Sequence, residues 1–197
     1  MLAPAFADPV LASQAVFRSV MDAMARPGTI VTTSGLVQAP PPLGLAAAVV
    51  ALTLLDYETP VWLDAALAQS REIAGWLKFH TGAPLTDDPQ RAAFAFIADP
   101  PSMPPLEAFS QGSMEYPDRA ATLLLQVDRL SDDDGLRLSG PGIRGSRALF
   151  AAPLPADFAA RMGANRGLFP RGVDIMLAAD TKLAALPRSV RIATEQA

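Results

Sequence analysis

Apolar residues recur with helical spacing near the start of the chain. Four side chains fall at i, i+3, i+4 and i+7 and make one apolar stripe: Phe17, Val20, Met21 and Met24. The spacing predicts a helix over about residues 13–25, with Ser13 as its N-cap. The helix should end before Pro27-Gly28, because the residue that precedes a proline is disfavoured in the helical region.

Further patterns predict helices mixed with short strands along the rest of the chain. Residues 43–55 form an apolar run of 13 residues and predict a buried helix, and Ile73, Trp76 and Leu77 give residues 71–79 an apolar face. A helix is also predicted over 156–162. Apolar or β-branched runs predict strands over 29–33, 61–63, 94–98, 122–127, 136–138 and 173–178, and an extended alternating segment over 186–192.

Helices mixed with buried apolar strands are typical of an α/β fold. The pattern predicts a mixed central sheet with helices on both faces. No repeat, linker or low-complexity segment divides the 197 residues, so the prediction is a single domain over 1–197. A chain of this length buries about 70% of its unfolded surface and needs no disulfide or metal to fold.

Few side chains of this protein can carry chemistry. It has no cysteine, one histidine (His80) and two lysines, Lys78 and Lys182. A thiolate nucleophile and a cysteine metal site are excluded, and only the two lysines could form a Schiff base. No metal site is expected. The residues alone therefore define a globular α/β domain and do not name a function.

Charge and hydropathy exclude two classes of partner. A net charge of -4 with a pI near 4.9 argues against nucleic acid, which requires a basic face. The longest apolar run has 13 residues, and a membrane-spanning helix needs about 20. The first eight residues lack the basic region of a secretory signal. The expectation is a cytoplasmic protein.

Two short motifs permit a ligand-binding interpretation and a structural one. Residues 140–145 read GPGIRG and fit GxGxxG, but Pro141 removes a backbone N–H and prolines follow within ten residues, so a tight glycine turn is favoured over a dinucleotide site. Asp132-Asp133-Asp134-Gly135 could ligate a divalent cation. A solvated hairpin turn at Asp134-Gly135 is the favoured interpretation.

Candidate ligand or interface contacts are three arginines beside predicted turns and the single histidine: Arg26, Arg171, Arg188 and His80. Turns often carry binding sites, although for each arginine a solvated or salt-bridged side chain is the favoured interpretation. His80 closes the helix over 71–79, where it could interact with the helix dipole or contact an anion. No catalytic residue is predicted.

A series of strings, in order, resembles the PhnH family, a subunit of the bacterial carbon–phosphorus lyase system for phosphonate use. No single string is diagnostic, and the resemblance lies in their order and spacing over about residues 8–192. The strings are DP at 8–9, SQ at 13–14, FR at 17–18, MARPG at 24–28, TPVWL at 59–63, FHT at 79–81, ATLLLQV at 121–127, LSGPGI at 138–143, FPRGVD at 169–174 and LPRSVR at 186–191.

The resemblance implies a subunit of a cytoplasmic core complex that contains the G, I and J types of subunit. With ATP and a phosphonate, that machinery releases adenine and forms a ribose 1-phosphonate 5-triphosphate; a later radical step in the J subunit cleaves the carbon–phosphorus bond. It also implies a homodimer whose fold is similar to the large domain of pyridoxal-phosphate-dependent transferases, without the cofactor. It implies no catalytic residue.

Two hypotheses follow from the sequence. The leading one is a non-catalytic accessory subunit of the lyase core complex that binds no cofactor. The alternative is a module that binds an anion, phosphonate or nucleotide, through His80 and the arginines and presents it to the complex. A stand-alone pyridoxal-phosphate enzyme that uses Lys78 or Lys182 is the third and least favoured interpretation.

Overall fold

A six-stranded mixed sheet forms the centre of the computed structural model, which describes residues 9–33, 35 and 38–193. The strand order is β1-β8-β7-β4-β3-β2, in which β2, β3, β4 and β7 are mutually parallel and β8 and β1 are antiparallel to their neighbours. The strands are β1 (Val31–Thr32), β2 (Val61–Leu63), β3 (Phe94–Ile97), β4 (Thr122–Gln126), β7 (Asp174–Ala179) and β8 (Lys182–Leu186).

Alternation of side chains along the strands builds two hydrophobic cores, one on each face of the sheet. Phe96, Leu124 and Met176 belong to one core, and their sequence neighbours belong to the other. The first core is covered by helices α1 (Pro9–Ala25), α2 (Leu45–Leu54), α3 (Ala65–Ala68) and α4 (Arg71–Thr81). The mixed central sheet and its helices confirm the predicted α/β class.

The second core is covered by one helix and by a second, three-stranded antiparallel sheet. The helix is α5 (Phe158–Gly167), and the sheet contains β5 (Arg129–Ser139), β6 (Arg147–Ala152) and β9 (Arg191–Ala193) in the order β6-β5-β9. The sequence patterns indicated only parts of this small sheet: the predicted strand over 136–138 lies within β5, and the predicted extended segment over 186–192 overlaps β9. Its strands are partly exposed and carry charged residues, so they lack the clean apolar runs of the central strands.

The interpretation of Asp134-Gly135 as a hairpin turn is wrong. Ser131 pairs with Phe150 and Leu136 with Leu149, so residues 132–135 form a bulge within strand β5. A bulge inserts extra residues opposite a continuous partner strand, and a glycine there accepts the unusual backbone conformation. Gly135 has φ 145°, and a Cβ at this position would lie 2.6 Å from the carbonyl oxygen of Leu149.

Helix α1 begins before the predicted start, and its core-facing side differs from the predicted stripe. Val16, Val20 and Ala23 are buried, whereas Phe17 and Met21 are 49% and 51% exposed. Both sets of apolar residues recur with helical spacing, so spacing alone could not tell which set faces the core. Part of the predicted stripe therefore lies on the protein surface.

The predicted extended segment over 186–192 is divided between two sheets. Strand β8 ends at Leu186 in the central sheet, residues 187–190 form a turn closed by a hydrogen bond from Val190 N–H to Pro187 O, and β9 begins at Arg191. Pro187 explains the break, because proline has no N–H to donate to a sheet ladder.

Candidate functional site

The four candidate contact residues lie toward the end of the central sheet where its parallel strands begin, called here the amino edge. Arg171 and Arg188 flank the start of β7. His80 lies in the last turn of α4, just before Pro84, whose carbonyl accepts the N–H of Val61 at the start of β2. Arg26 follows α1 beside β8, where the N–H of Gly28 donates to Ala185 O.

Arg188 is bound within the protein by an ion pair that uses most of its donors. Its Nη2 lies 2.6 Å from Asp174 Oδ2 and its Nε 3.1 Å from Oδ1, while Nη1 donates to Pro117 O at 2.7 Å. The Arg188 backbone N–H also donates to Asp174 Oδ1 at 2.8 Å. The two side chains are 13% and 16% exposed. Arg188 therefore ties β8 to β7 and to the segment before β4.

Arg26 and His80 have different surroundings. Arg26 is exposed and pairs with Asp22 one turn earlier on α1. The His80 ring lies 4.8 Å from the Trp76 ring and 4.9 Å from the Phe79 ring, and its Nε2 is buried without a hydrogen-bond partner. Burial lowers the pKa of His80. The ring is therefore mainly neutral at pH 7 and lacks the charge that attracts an anion.

Arg171 lies on the loop between α5 and β7 and has a neighbour that sequence reasoning missed. The Nε atoms of Arg171 and of Arg166, in the last turn of α5, are buried, and neither has a hydrogen-bond partner. Neither guanidinium pairs with a carboxylate in the described ranges. The one sequence signal for Arg166 is a basic residue at a helix C-terminus, which is common in structural roles.

The opposite, carboxyl edge of the sheet is where open α/β sheets usually bind ligands. Here a buried carboxylate joins the ends of β2 and β3. Asp64 Oδ1 accepts the N–H of Leu67 at 3.0 Å as the N-cap of α3, and Oδ2 accepts the N–H groups of Ala98 and Asp99 at 2.8 and 2.9 Å. Asp64 is therefore committed to holding the strand ends together.

Gln126, at the carboxyl end of β4, closes the N-terminus of helix α2. Its Oε1 accepts the N–H of Gly44 at 2.6 Å, and its Nε2 donates to Pro42 O at 3.1 Å. A helix N-terminus is a favourable place for an anion, but here a side-chain amide of the chain already occupies the first N–H. The expected ligand position of an α/β sheet is thus filled by structural contacts.

Among the residues that the structure describes, the lysines are exposed and the acidic side chains form no metal-binding group. Lys78 is exposed on α4 and Lys182 is exposed at the start of β8. In the part of the chain that the structure describes, no group of three or more histidine, cysteine, aspartate or glutamate side chains could hold a metal ion. Within these same residues, no helix is long and apolar enough to cross a membrane.

The GxGxxG string forms a tight loop against the end of α1, and its three glycines have positive φ angles. Gly142 has φ +78°, and a Cβ there would lie 2.1 Å from Ala25 O. Gly145 also has a positive φ, of +71°, but a Cβ there would meet nothing within 4 Å. The loop is followed by strand β6 and not by a helix, which supports the glycine-turn interpretation over a dinucleotide site.

The two glycines provide a matched test of this interpretation. Gly145→Ala should cost about 1 kcal/mol, the strain of an alanine at positive φ. Gly142→Ala adds a clash with a backbone carbonyl and should cost about 2 kcal/mol more. Urea unfolding of both variants measures the difference. Equal losses would show that no close approach constrains Gly142.

Large apolar side chains on the outer side of α1 are exposed, namely Val10, Leu11, Phe17 and Met21. Phe17 and Met21 line a shallow groove that reaches Val31 of strand β1. Exposed apolar patches of this kind are typical of surfaces that contact another protein.

The fold and its surface together define a small α/β protein whose carboxyl-edge polar groups are engaged in structural contacts and whose first helix exposes apolar side chains. Residues 4–193 match the family model described as PhnH, bacterial phosphonate metabolism protein. The chain belongs to this family.

Two curated relatives agree with the family match. The chain is 44% identical over 191 residues to the α-D-ribose 1-methylphosphonate 5-triphosphate synthase subunit PhnH of Rhizobium meliloti (strain 1021), and the alignment covers 97% of this chain and 95% of the relative. It is also 33% identical over 81 residues to HtxG of Stutzerimonas stutzeri, a protein provisionally described as a C–P lyase subunit. That alignment covers 41% of this chain and 42% of HtxG.

Proposed function

We propose that this chain is an accessory subunit of an α-D-ribose 1-methylphosphonate 5-triphosphate synthase in a carbon–phosphorus lyase pathway. The observation that carries the proposal is the 44% identity, over nearly the whole of both chains, to a subunit with that name. In this role the protein takes part in the step that uses ATP and a phosphonate and releases adenine, and it acts in the cytoplasm.

The accessory role is supported by what the chain's polar residues already do. Asp64, Gln126 and the Asp174–Arg188 pair have their hydrogen-bonding capacity used within the fold. Catalysis of a group transfer requires groups positioned to stabilise developing charge or move protons. A protein with these groups engaged in its own structure is suited to holding an assembly together.

The proposed partners are the G, I and J types of lyase subunit and a second copy of this chain. The exposed apolar side chains of α1 favour protein contacts, because they would otherwise remain in water. Subunit interfaces are enriched in such residues at their centres.

We also propose that the fold is similar to the large domain of pyridoxal-phosphate-dependent transferases, without the cofactor. The central sheet, in which the four adjacent strands β7, β4, β3 and β2 are parallel, supports the likeness. Lys78 and Lys182 are both exposed, and an exposed lysine lacks the desolvation that makes a Schiff-base nucleophile.

The accessory role predicts that the purified chain releases no adenine from ATP in the presence of methylphosphonate. Co-expression of a tagged chain with the products of neighbouring genes should recover the partner subunits, and the recovered complex should release adenine. Chromatography of the reaction products measures adenine directly. Light scattering of the isolated chain should give the mass of a dimer.

Each half of this experiment can contradict the proposal. Adenine release by the isolated chain, with or without added pyridoxal phosphate, would make it an enzyme in its own right. A chain that recovers no lyase subunit and behaves as a monomer would not be an assembly subunit. The complex prepared without this chain is the control that shows whether adenine release depends on it.

A further inference from the structure

We propose that the segment over residues 165–173, called here the arginine loop, binds a tetrahedral oxyanion of the phosphate or phosphonate type between Arg166 and Arg171. All residues of such a site would come from a single copy of this chain. The proposal is independent of whether the chain is an accessory subunit, since it rests on local contacts in the fold.

Buried contacts between Asn165 and Val173 join the two ends of the arginine loop. Asn165 is buried; its Nδ2 donates to Val173 O at 2.9 Å and its Oδ1 accepts the Val173 N–H at 2.8 Å. Gly172 has φ +116°, and a Cβ there would lie 3.0 Å from Asn165 O. Arg166 follows Asn165 and Arg171 precedes Gly172, so the backbones of both arginines lie next to the contacts that join the two ends of the loop.

Both guanidinium groups lack acceptors. The Nε atoms of Arg166 and Arg171 are buried without a partner, and over the described ranges their Nη groups make no hydrogen bond and remain open to solvent. A buried donor that is left unpaired destabilises a protein. Attraction to the C-terminal carbonyls of α5 would explain why a basic residue lies at position 166. This attraction still leaves the Nε of Arg166 without a hydrogen-bond acceptor.

Among the residues that the structure describes, no carboxylate forms an ion pair with either arginine of the loop. Asp174, the carboxylate that directly follows it, accepts three hydrogen bonds from Arg188. Another Arg188 hydrogen bond goes to the loop carbonyl of Pro170 at 3.3 Å. The positive charge of Arg166 and Arg171 is therefore not balanced by this acid.

Gln111, whose backbone contacts the loop, carries a side-chain acceptor that has no partner. Gln111 O accepts the N–H of Gly172 at 2.9 Å, and the Oε1 of Gln111 is buried without a partner. Two donor forks and one acceptor match a monoprotonated oxyanion, whose unprotonated oxygens accept and whose hydroxyl donates. Guanidinium forks bind phosphate-type groups in this bidentate manner. Phe169 is exposed on the loop, so an anion with a small alkyl group is a useful second probe.

Calorimetric titration of the full-length protein tests the site with inorganic phosphate, methylphosphonate and ATP as probes. The wild-type protein should bind phosphate or methylphosphonate, and Arg166→Gln and Arg171→Gln should each weaken binding at least tenfold. Arg171→Lys should recover only part of the affinity, because a lysine keeps the charge but not the fork. The matched control is Arg119→Gln, which removes an exposed arginine that stacks on Tyr116 near the same edge.

A second measurement separates loss of the site from loss of the fold. In ¹⁵N-detected NMR spectra of the wild-type protein, the Nε–Hε signals of Arg166 and Arg171 should shift when phosphate is added, while that of Arg119 should not. No heat and no shift with any probe at about 10 mM would overturn the proposal. An equal loss of affinity in Arg119→Gln would also overturn it, since binding would then reflect only the general charge of the surface.

Discussion

Replacement of Asp174 by alanine is expected to lower the free energy of unfolding by about 3 to 5 kcal/mol. The change removes the only carboxylate that Arg188 pairs with in the described structure. It leaves the guanidinium of this side chain, which is 13% exposed, without a counter-charge. It also removes the acceptor of the Arg188 backbone N–H. Breaking one side of a mostly buried pair costs more than the pair contributes, because the remaining charge stays desolvated.

Thermal and urea unfolding measure this loss, and for a chain of this length a decrease in Tm of about 10 °C is expected. Asp157→Ala is the control, since Asp157 pairs with Arg161 through one hydrogen bond and is 59% exposed. Its removal should change stability by less than about 1 kcal/mol. If both variants lose the same stability, Arg188 is not a structural clamp and is again available as a ligand contact.

The sequence could not distinguish Arg188, which is paired within the fold, from Arg171, which forms no ion pair in the described part of the fold. Arg171 and Arg188 were selected by the same criterion, an arginine beside a turn, yet the structure separates them. Arg188 is paired with Asp174, 14 residues earlier in the chain, and this pairing depends on β7 and β8 being antiparallel neighbours. Residue type and local spacing contain no information on such a non-local pair, so the sequence could not distinguish a structural arginine from a free one.

The predictable part of the fold was the part set by local patterns. Strands β3, β4 and β7 contain continuous apolar runs that are buried on both faces, and such runs indicate central strands without knowledge of their neighbours. The second sheet depends on β5 pairing with β9, more than fifty residues later. Local patterns indicated residues 136–138 of β5 as a strand, but they could not indicate which distant strand it pairs with.

Helix α1 shows a further limit of pattern reading. Its period was predicted, but the face that enters the core was not, because Phe17 and Met21 compete with Val16 and Ala23 as apolar sides of the same helix. The larger side chains lie outside. That choice follows from packing against α2 and β8, where small residues allow close approach, and it leaves the apolar surface that the proposed partners would cover.

The second large effect is expected at Asp64, which sequence reasoning did not single out. Asp64→Ala removes a buried acceptor and leaves the buried N–H of Leu67 and the partly buried N–H groups of Ala98 and Asp99 without a partner. Each buried donor left unpaired costs about 1 to 3 kcal/mol, and some will be reached by water because the strand ends lie near the sheet edge. A loss of about 3 kcal/mol in the free energy of unfolding is therefore expected, measured by urea unfolding.

Asp64→Asn distinguishes hydrogen bonding from side-chain volume. Asparagine has nearly the same shape, but it has only one oxygen. Its oxygen can accept either from Leu67 or from Ala98 and Asp99, and its NH₂ group then faces the remaining N–H groups as a donor. It should therefore recover less than half of the loss caused by alanine. Asp88→Ala is the matched control: Asp88 Oδ1 accepts one N–H, from Gln90 at 3.0 Å, at an exposed helix start, and its removal should cost about 1 kcal/mol or less. A full recovery by asparagine would mean that Asp64 acts mainly by filling space. The carboxyl edge would then not depend on a carboxylate to hold β2 and β3 together.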